Sequence, residues 1–113
     1  MAISITQHQG ITIVVNQGRL DTNSSPAAEE AINAAIDAGA NQLIVDFSQT
    51  DYISSAGLRV LLKTVKTLKP KNGALVLCSA NEQIHEVLEI SGFLGMMQAY
   101  ENLDEALSSL QKA

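Results

Sequence analysis

Apolar and polar positions alternate through Ile3-Ser4-Ile5-Thr6, break at Gln9-Gly10, and resume as the apolar run Ile11-Thr12-Ile13-Val14-Val15. Period-two alternation on both sides of a turn predicts a β-hairpin whose second arm is the more deeply buried. After Gln17-Gly18, a short extended piece, Arg19-Leu20-Asp21, leads into Asn23-Ser24-Ser25-Pro26. Ser25 as N-cap with Pro26 at the first helical position predicts a helix start. Ala28, Ala31, Ile32, Ala35 and Ile36 then share one face, Glu29, Glu30, Asn33 and Asp37 the other, and Gly39 ends the helix.

Gln42 to Phe47 has the length and branched apolar content of a central strand covered on both faces. A second extended stretch at Tyr52-Ile53 precedes a helix from about Ser55 to Leu68, closed by Pro70 and a turn at Lys71-Asn72-Gly73. The inner stripe of that helix reads Leu58, Leu61, Leu62, Val65 and Leu68. Ala74 to Cys78 is the next strand. Ser79-Ala80-Asn81-Glu82 fits a capping box for a third helix with Ile84, Val87 and Leu88 inward. Gly95 to Tyr100 reads as a weaker strand, and Asn102 with Glu105 caps a last helix through Leu103, Ala106, Leu107 and Leu110. Strands joined by crossover helices are parallel as a rule. The expected class is therefore α/β: one domain over residues 1–113, about four helices, and a mixed sheet with an antiparallel hairpin first and parallel strands later.

Composition narrows the functional classes. With 46% apolar and 17% charged residues, 113 residues suit one ordinary core. A net charge of −5 and the lack of an interleaved aromatic platform argue against nucleic-acid binding. Cys78 is the single cysteine and sits in an apolar strand, so it reads as an inert core thiol. No run has the length of a membrane span and the start lacks a signal-like pattern, which makes the cytoplasm the expected location, without direct membrane insertion.

The chemistry concentrates at Tyr52-Ile53-Ser54-Ser55-Ala56-Gly57-Leu58-Arg59. A serine opening a helix meets free backbone N–H groups and the positive end of the helix dipole, a place that accepts a hydroxyl cap or a phosphate. A plain capping role suits either serine. Small Ala56 and Gly57 suggest a backbone left open to a visiting molecule, and Gly57 costs up to about 1 kcal/mol against alanine, which packing or access must justify. Arg59, Lys63 and Lys66 share an outer face that serves either as a solvated surface or as a meeting point for an acidic partner. Asp46 lies beside Ser55 near the strand ends or else satisfies the loop that follows it.

Val45-Asp46-Phe47 with the Tyr52-to-Leu62 segment, and Gly18-Arg19-Leu20-Asp21 before it, resembles the signature of the STAS domain family, and the order of elements agrees over nearly the full chain. The resemblance is strongest to the stand-alone bacterial anti-sigma factor antagonists. It implies a non-enzymatic module that holds an anti-sigma factor with serine kinase activity when unmodified and releases it when phosphorylated, a phosphatase resetting the state. Aligning on Gly57 and Leu58 puts the acceptor at Ser55. Ser54 stands where the family carries an aspartate and is the second acceptor; Ala56 replaces a hydroxyl residue. The same resemblance implies a partner-binding surface made of Asp21, with Thr22 and Asn23 in its loop, and of Ser54, Ala56, Gly57, Leu58, Arg59 and Lys63. No cofactor or metal is implied for the domain itself, since the kinase brings ATP and Mg²⁺.

Two other readings stay in view. A STAS scaffold or regulatory subunit of a transporter or signalling complex would need no phosphoswitch. A receiver or hydrolase would need an acidic pocket, a glycine-flanked serine elbow or a catalytic histidine. The first strand carries Ser4 and Thr6 in place of such acids, and His8 and His85 lack ligand or triad spacing.

Overall fold

The computed structural model describes residues 2–111. Strands β1 (Ala2–His8) and β2 (Ile11–Leu20) form the expected antiparallel hairpin, paired from Ala2↔Gln17 to His8↔Ile11. Gln9 and Gly10 both take positive φ (53° and 84°), the backbone that a two-residue turn needs to match strand twist. Helix α1 (Ser25–Asp37), strands β3 (Gln42–Asp46) and β4 (Thr50–Ile53), helix α2 (Ser55–Leu68), strand β5 (Ala74–Cys78), helix α3 (Glu82–Ile90), strand β6 (Gln98–Tyr100) and helix α4 (Leu103–Gln111) follow. Among the described residues the sheet runs β1-β2-β3-β5-β6, parallel after the hairpin, with β4 attached to the end of β2. No helix among the described residues is long and apolar enough to cross a membrane.

Alternation along the buried strands splits the interior in two. Val14, Leu43, Val45, Leu75 and Leu77 pack with Ile32 and Ile36 of α1, Val60 and Leu61 of α2, and Ile84 and Leu88 of α3. Ile11, Ile13, Ile44, Val76 and Cys78 face the other way, onto Ala106, Leu103 and Leu107 of α4. A sheet apolar on both faces needs helices on both, and this chain supplies three and one. Cys78 is fully buried, and burial above all pushes its thiol up to about 12, with the nearby Asp46 adding to the effect.

Several local expectations change. β2 does not stop before Arg19. Its register shifts between Gly18 and Arg19, with Gly18 at φ 86°, and the strand then leaves β3 and pairs with β4 through Arg19↔Tyr52 and Leu20↔Ile53. The N-cap of α1 is Ser24, with Ser25 as its first residue, because the Asp21–Ser24 turn ends in a bond from Ser25 N–H to the Asp21 carbonyl (2.8 Å). Asn81, not Ser79, caps α3: its Oδ1 accepts from Ile84 N–H at 2.8 Å, while Ser79 sits at φ 64°. The segment expected as a strand from Gly95 begins as a 3-10 turn, Phe93–Gly95, whose Phe93 carbonyl accepts from Met96 and Met97 N–H; only Gln98–Tyr100 pairs. On α2 the deepest positions are Gly57, Val60, Leu61, Thr64 and Leu68, with Leu58, Leu62 and Val65 at the flanks. Thr64 is buried because its hydroxyl donates to the Val60 carbonyl (2.8 Å), a bond that lets a polar residue lie inward.

Candidate functional site

The site is built where β2 and β4 end side by side. Leu20 and Ile53 are register partners, so the two chain segments that follow, Asp21–Ser24 and Ser54–Gly57, emerge next to each other. Ser54 N–H donates to the Leu20 carbonyl at 3.0 Å and ties them together. Gly57 fixes how close they come. A Cβ there would lie 2.7 Å from the Leu20 carbonyl oxygen, 2.8 Å from Ile53 Cγ1 and 2.9 Å from Leu20 Cγ. The glycine is buried, and its small size serves this packing of α2 on β2 and β4; the backbone there is not left open to a visitor.

The two serines divide their roles. Ser54, half-buried with extended backbone (φ −105°, ψ 178°), is the N-cap of α2, its Oγ accepting from Ala56 N–H at 3.2 Å. Ser55, the first helical residue, is exposed. A hydroxyl free of capping duty, on the electropositive first turn of a 14-residue helix, can exchange hydrogen for a phosphoryl group without unmaking the cap.

Asp21 organises the neighbouring loop. Its Oδ1 accepts from Asn23 N–H (3.0 Å) and Ser24 N–H (3.2 Å), and Arg19 Nε donates to Oδ2 at 3.1 Å. The Arg19 guanidinium, foremost, holds the Asp21 carboxyl below its ordinary value; desolvation, next in size, opposes it, and the N–H groups of Ser24 and Asn23 add to the lowering. Arg19 itself lies over the Tyr52 ring, 4.3 Å from the centroid. Tyr52 on β4 thus props Arg19 on β2, and Arg19 holds Asp21. Thr22 and Asn23 are exposed at the tip.

Between α1 and α2 runs a groove of about 220 Å³ lined by Thr22, Ser25, Pro26, Glu29, Ala56, Arg59, Val60 and Lys63. The structure therefore gathers Thr22, Ala56, Arg59 and Lys63 around one concavity, with Asp21, Asn23, Ser54 and Ser55 beside it in sequence. Lys63 is paired with Glu29 across the helices at 3.1 Å, and Leu58 packs at the edge of the core. Asp46 is not part of this cluster: its Oδ1 accepts from Ser48 N–H at 2.9 Å within its own loop. Sequence reasoning missed Arg19, Tyr52 and Ser25. The Arg19-x-Asp21 spacing was a signal for the first, whereas the cross-strand partner Tyr52 requires the β2–β4 register. His8 and His85 are exposed on β1 and α3.

A family model described as the STAS domain matches residues 2–106. The chain is 34% identical over 113 residues to BtrV of Bordetella bronchiseptica, a protein provisionally named an anti-sigma factor antagonist, and the match covers 100% of this chain and 97% of that one. Among solved structures, an anti-sigma factor antagonist from Mycobacterium paratuberculosis has a TM-score of 0.91 at 24% identity over 98% of this chain and 94% of its own. The Bacillus cell fate determinant SpoIIAA, in its phosphorylated form, has a TM-score of 0.76 at 21% identity over 96% and 99%. At these identities the two structural likenesses establish the fold.

Proposed function

The chain belongs to the STAS domain family, and from that premise we propose that it is an anti-sigma factor antagonist, a non-enzymatic cytoplasmic binding module switched by phosphorylation of Ser55. The observation that carries this reading is the division of labour at α2: Ser54 holds the cap while the adjacent Ser55 hydroxyl stands exposed. In this reading the partner, an anti-sigma factor with serine kinase activity, docks over the Asp21 loop and the first turns of α2. The name of the 34%-identical relative supports the partner class, and a protein of the same fold has been solved phosphorylated. A phosphatase returns the module to its binding form.

Phosphate on Ser55 adds about −1.5 to −2 charges at pH 7. The α2 dipole stabilises that charge within the module, so the fold survives and the change falls on the docking surface.

The test uses the cognate anti-sigma factor. Intact-mass analysis after incubation with it and Mg-ATP should show one added phosphate, mapping to Ser55. Ser55→Ala should keep partner affinity, and Ser55→Asp should weaken it by about tenfold or more. Equal affinities for the two variants, or modification only at distant residues, would end the reading.

A further inference from the structure

We infer that the free edge of β1, with the alanine flank of α1 above it, docks a second copy of this chain through antiparallel β1–β1 pairing. The sheet then runs unbroken across two molecules. β1 ends the sheet: one side pairs with β2, and no strand lies beside the other among the described residues. Edge strands that stay single are shielded as a rule by lysine, proline, a bulge or shortness. β1 runs for seven residues in unbroken register, Ala2-Ile3-Ser4-Ile5-Thr6-Gln7-His8, and holds no Pro, Lys, Arg, Asp or Glu. The opposite edge, β6, is three residues long and is followed by Glu101.

The hairpin decides which backbone groups face outward. Gly18 N–H donates to the Gln49 carbonyl (2.8 Å) and the Asn16 carbonyl accepts from the Thr50 hydroxyl, so the even-numbered residues of β2 turn away from β1. Its odd-numbered residues then bond to β1 through their register partners Ala2, Ser4, Thr6 and His8. The N–H and C=O groups of Ile3, Ile5 and Gln7 are left pointing out along the free edge. A second β1 fits them with Ser4 on a two-fold axis. Ile3 of each copy then meets Ile5 of the other, and each pair exchanges both bonds. The side chains of Ile3 and Ile5, half-buried against the core on the α1 side, cover one another in that same register.

α1 lies over β1 and β2 with α2 at one side, toward which Glu29 reaches to pair with Lys63 at 3.1 Å. At about 100° per residue the opposite flank, above the free edge, reads Ala27, Ala31, Ala35 and Ala38. Spacing shows why that flank matters. Strands sit about 4.8 Å apart, so two helices each centred between β1 and β2 have axes about 10 Å apart across the dyad. Helices pack at about 8–10 Å, a distance that alanine meets and a long or charged side chain blocks. A chain of net charge −5 repels its own copy, and this edge and flank form an uncharged region where two copies can meet. α2 lies on the far side of α1 from this edge. Pairing therefore leaves both Ser55 surfaces open, and the dimer offers two docking sites.

Sedimentation equilibrium of the full chain, from micromolar to about millimolar concentration, reads the mass. It should rise from 12.0 kDa toward twice that value. Ser4→Lys places two ammonium groups at the axis, and Ala31→Glu two carboxylates between the helices; each should raise the dissociation constant about tenfold or more. Asn33→Glu, the same charge on the exposed side of α1 away from that flank, should leave it unchanged. Amide exchange of the parent chain is the second readout: Ile3 and Ile5 N–H should lose protection on dilution, while Ser4 and Thr6 N–H keep theirs. A mass fixed at 12.0 kDa throughout, a dimer indifferent to Ser4→Lys and Ala31→Glu, or protection of Ile3 and Ile5 gained only with another protein would each overturn the pairing. None of these measurements involves phosphorylation of Ser55, so they can fail while the switch stands.

Discussion

Gly57 and Asp21 are the residues on which the site's shape depends, and each makes a separable prediction. Gly57→Ala inserts a methyl group where backbone and core atoms already lie within 3 Å. It should destabilise the fold by about 1–3 kcal/mol, read as a lower urea midpoint at unchanged slope. A variant as stable as the parent would show that α2 is not held this tightly against Leu20 and Ile53. For Asp21 the sign follows from the direction of its shift. Its folded carboxyl, held by Arg19, loses its proton more readily than the ordinary value of 3.8 allows, so its contribution is present above that value and disappears as pH falls through the folded one. The stability gap between parent and Asp21→Asn should therefore be constant at neutral pH and close in acid below about pH 4. A gap that instead widens in acid would reverse the assignment. The Gly18-x-Leu20-Asp21 setting singled out Asp21 only by family resemblance, as a partner-surface residue, whereas its role as loop organiser required the N–H groups of Asn23 and Ser24.

The elements were legible wherever periodicity was strong, and their boundaries moved wherever hydrogen bonding chose among adjacent polar residues. Ser79, Asn81, Ser24, Ser25, Ser54 and Ser55 are all competent helix caps by chemistry. Which of them caps depends on where the preceding strand releases the chain. Asn81→Ala should cost α3 about 1 kcal/mol and Ser54→Ala should cost α2 a similar amount, with Ser55→Ala close to neutral in the same denaturation series. A larger loss for Ser55→Ala than for Ser54→Ala would exchange the two serines' roles and undercut the proposal that Ser55 is the acceptor. The expected strand from Gly95 failed for a related reason. Phe93 is buried and anchors a tight turn, so the chain spends Gly95 and Met96 reversing before Gln98 can pair with Val76.

At the scale of the whole molecule, the two-sided sheet makes Cys78 a reporter of global opening. Fully buried and with its thiol pushed up to about 12, it should resist alkylation in the native protein at pH 8 and react at the rate set by unfolding once denaturant is added. Rapid native labelling would contradict the packing of α4 over β5. The sequence by itself determined the class of fold, the hairpin, the alternation of strands and helices, and the serine pair at the head of α2, because apolar period and turn chemistry are local properties written along the chain. Tertiary structure alone decided that β2 changes partner at Gly18, that Tyr52 supports Arg19, that Gly57 serves packing, and that Ser25 shares a groove with Arg59. Each of those depends on strand register and helix approach, which join residues about 30 positions apart, and no pattern of neighbours in sequence encodes such a distance.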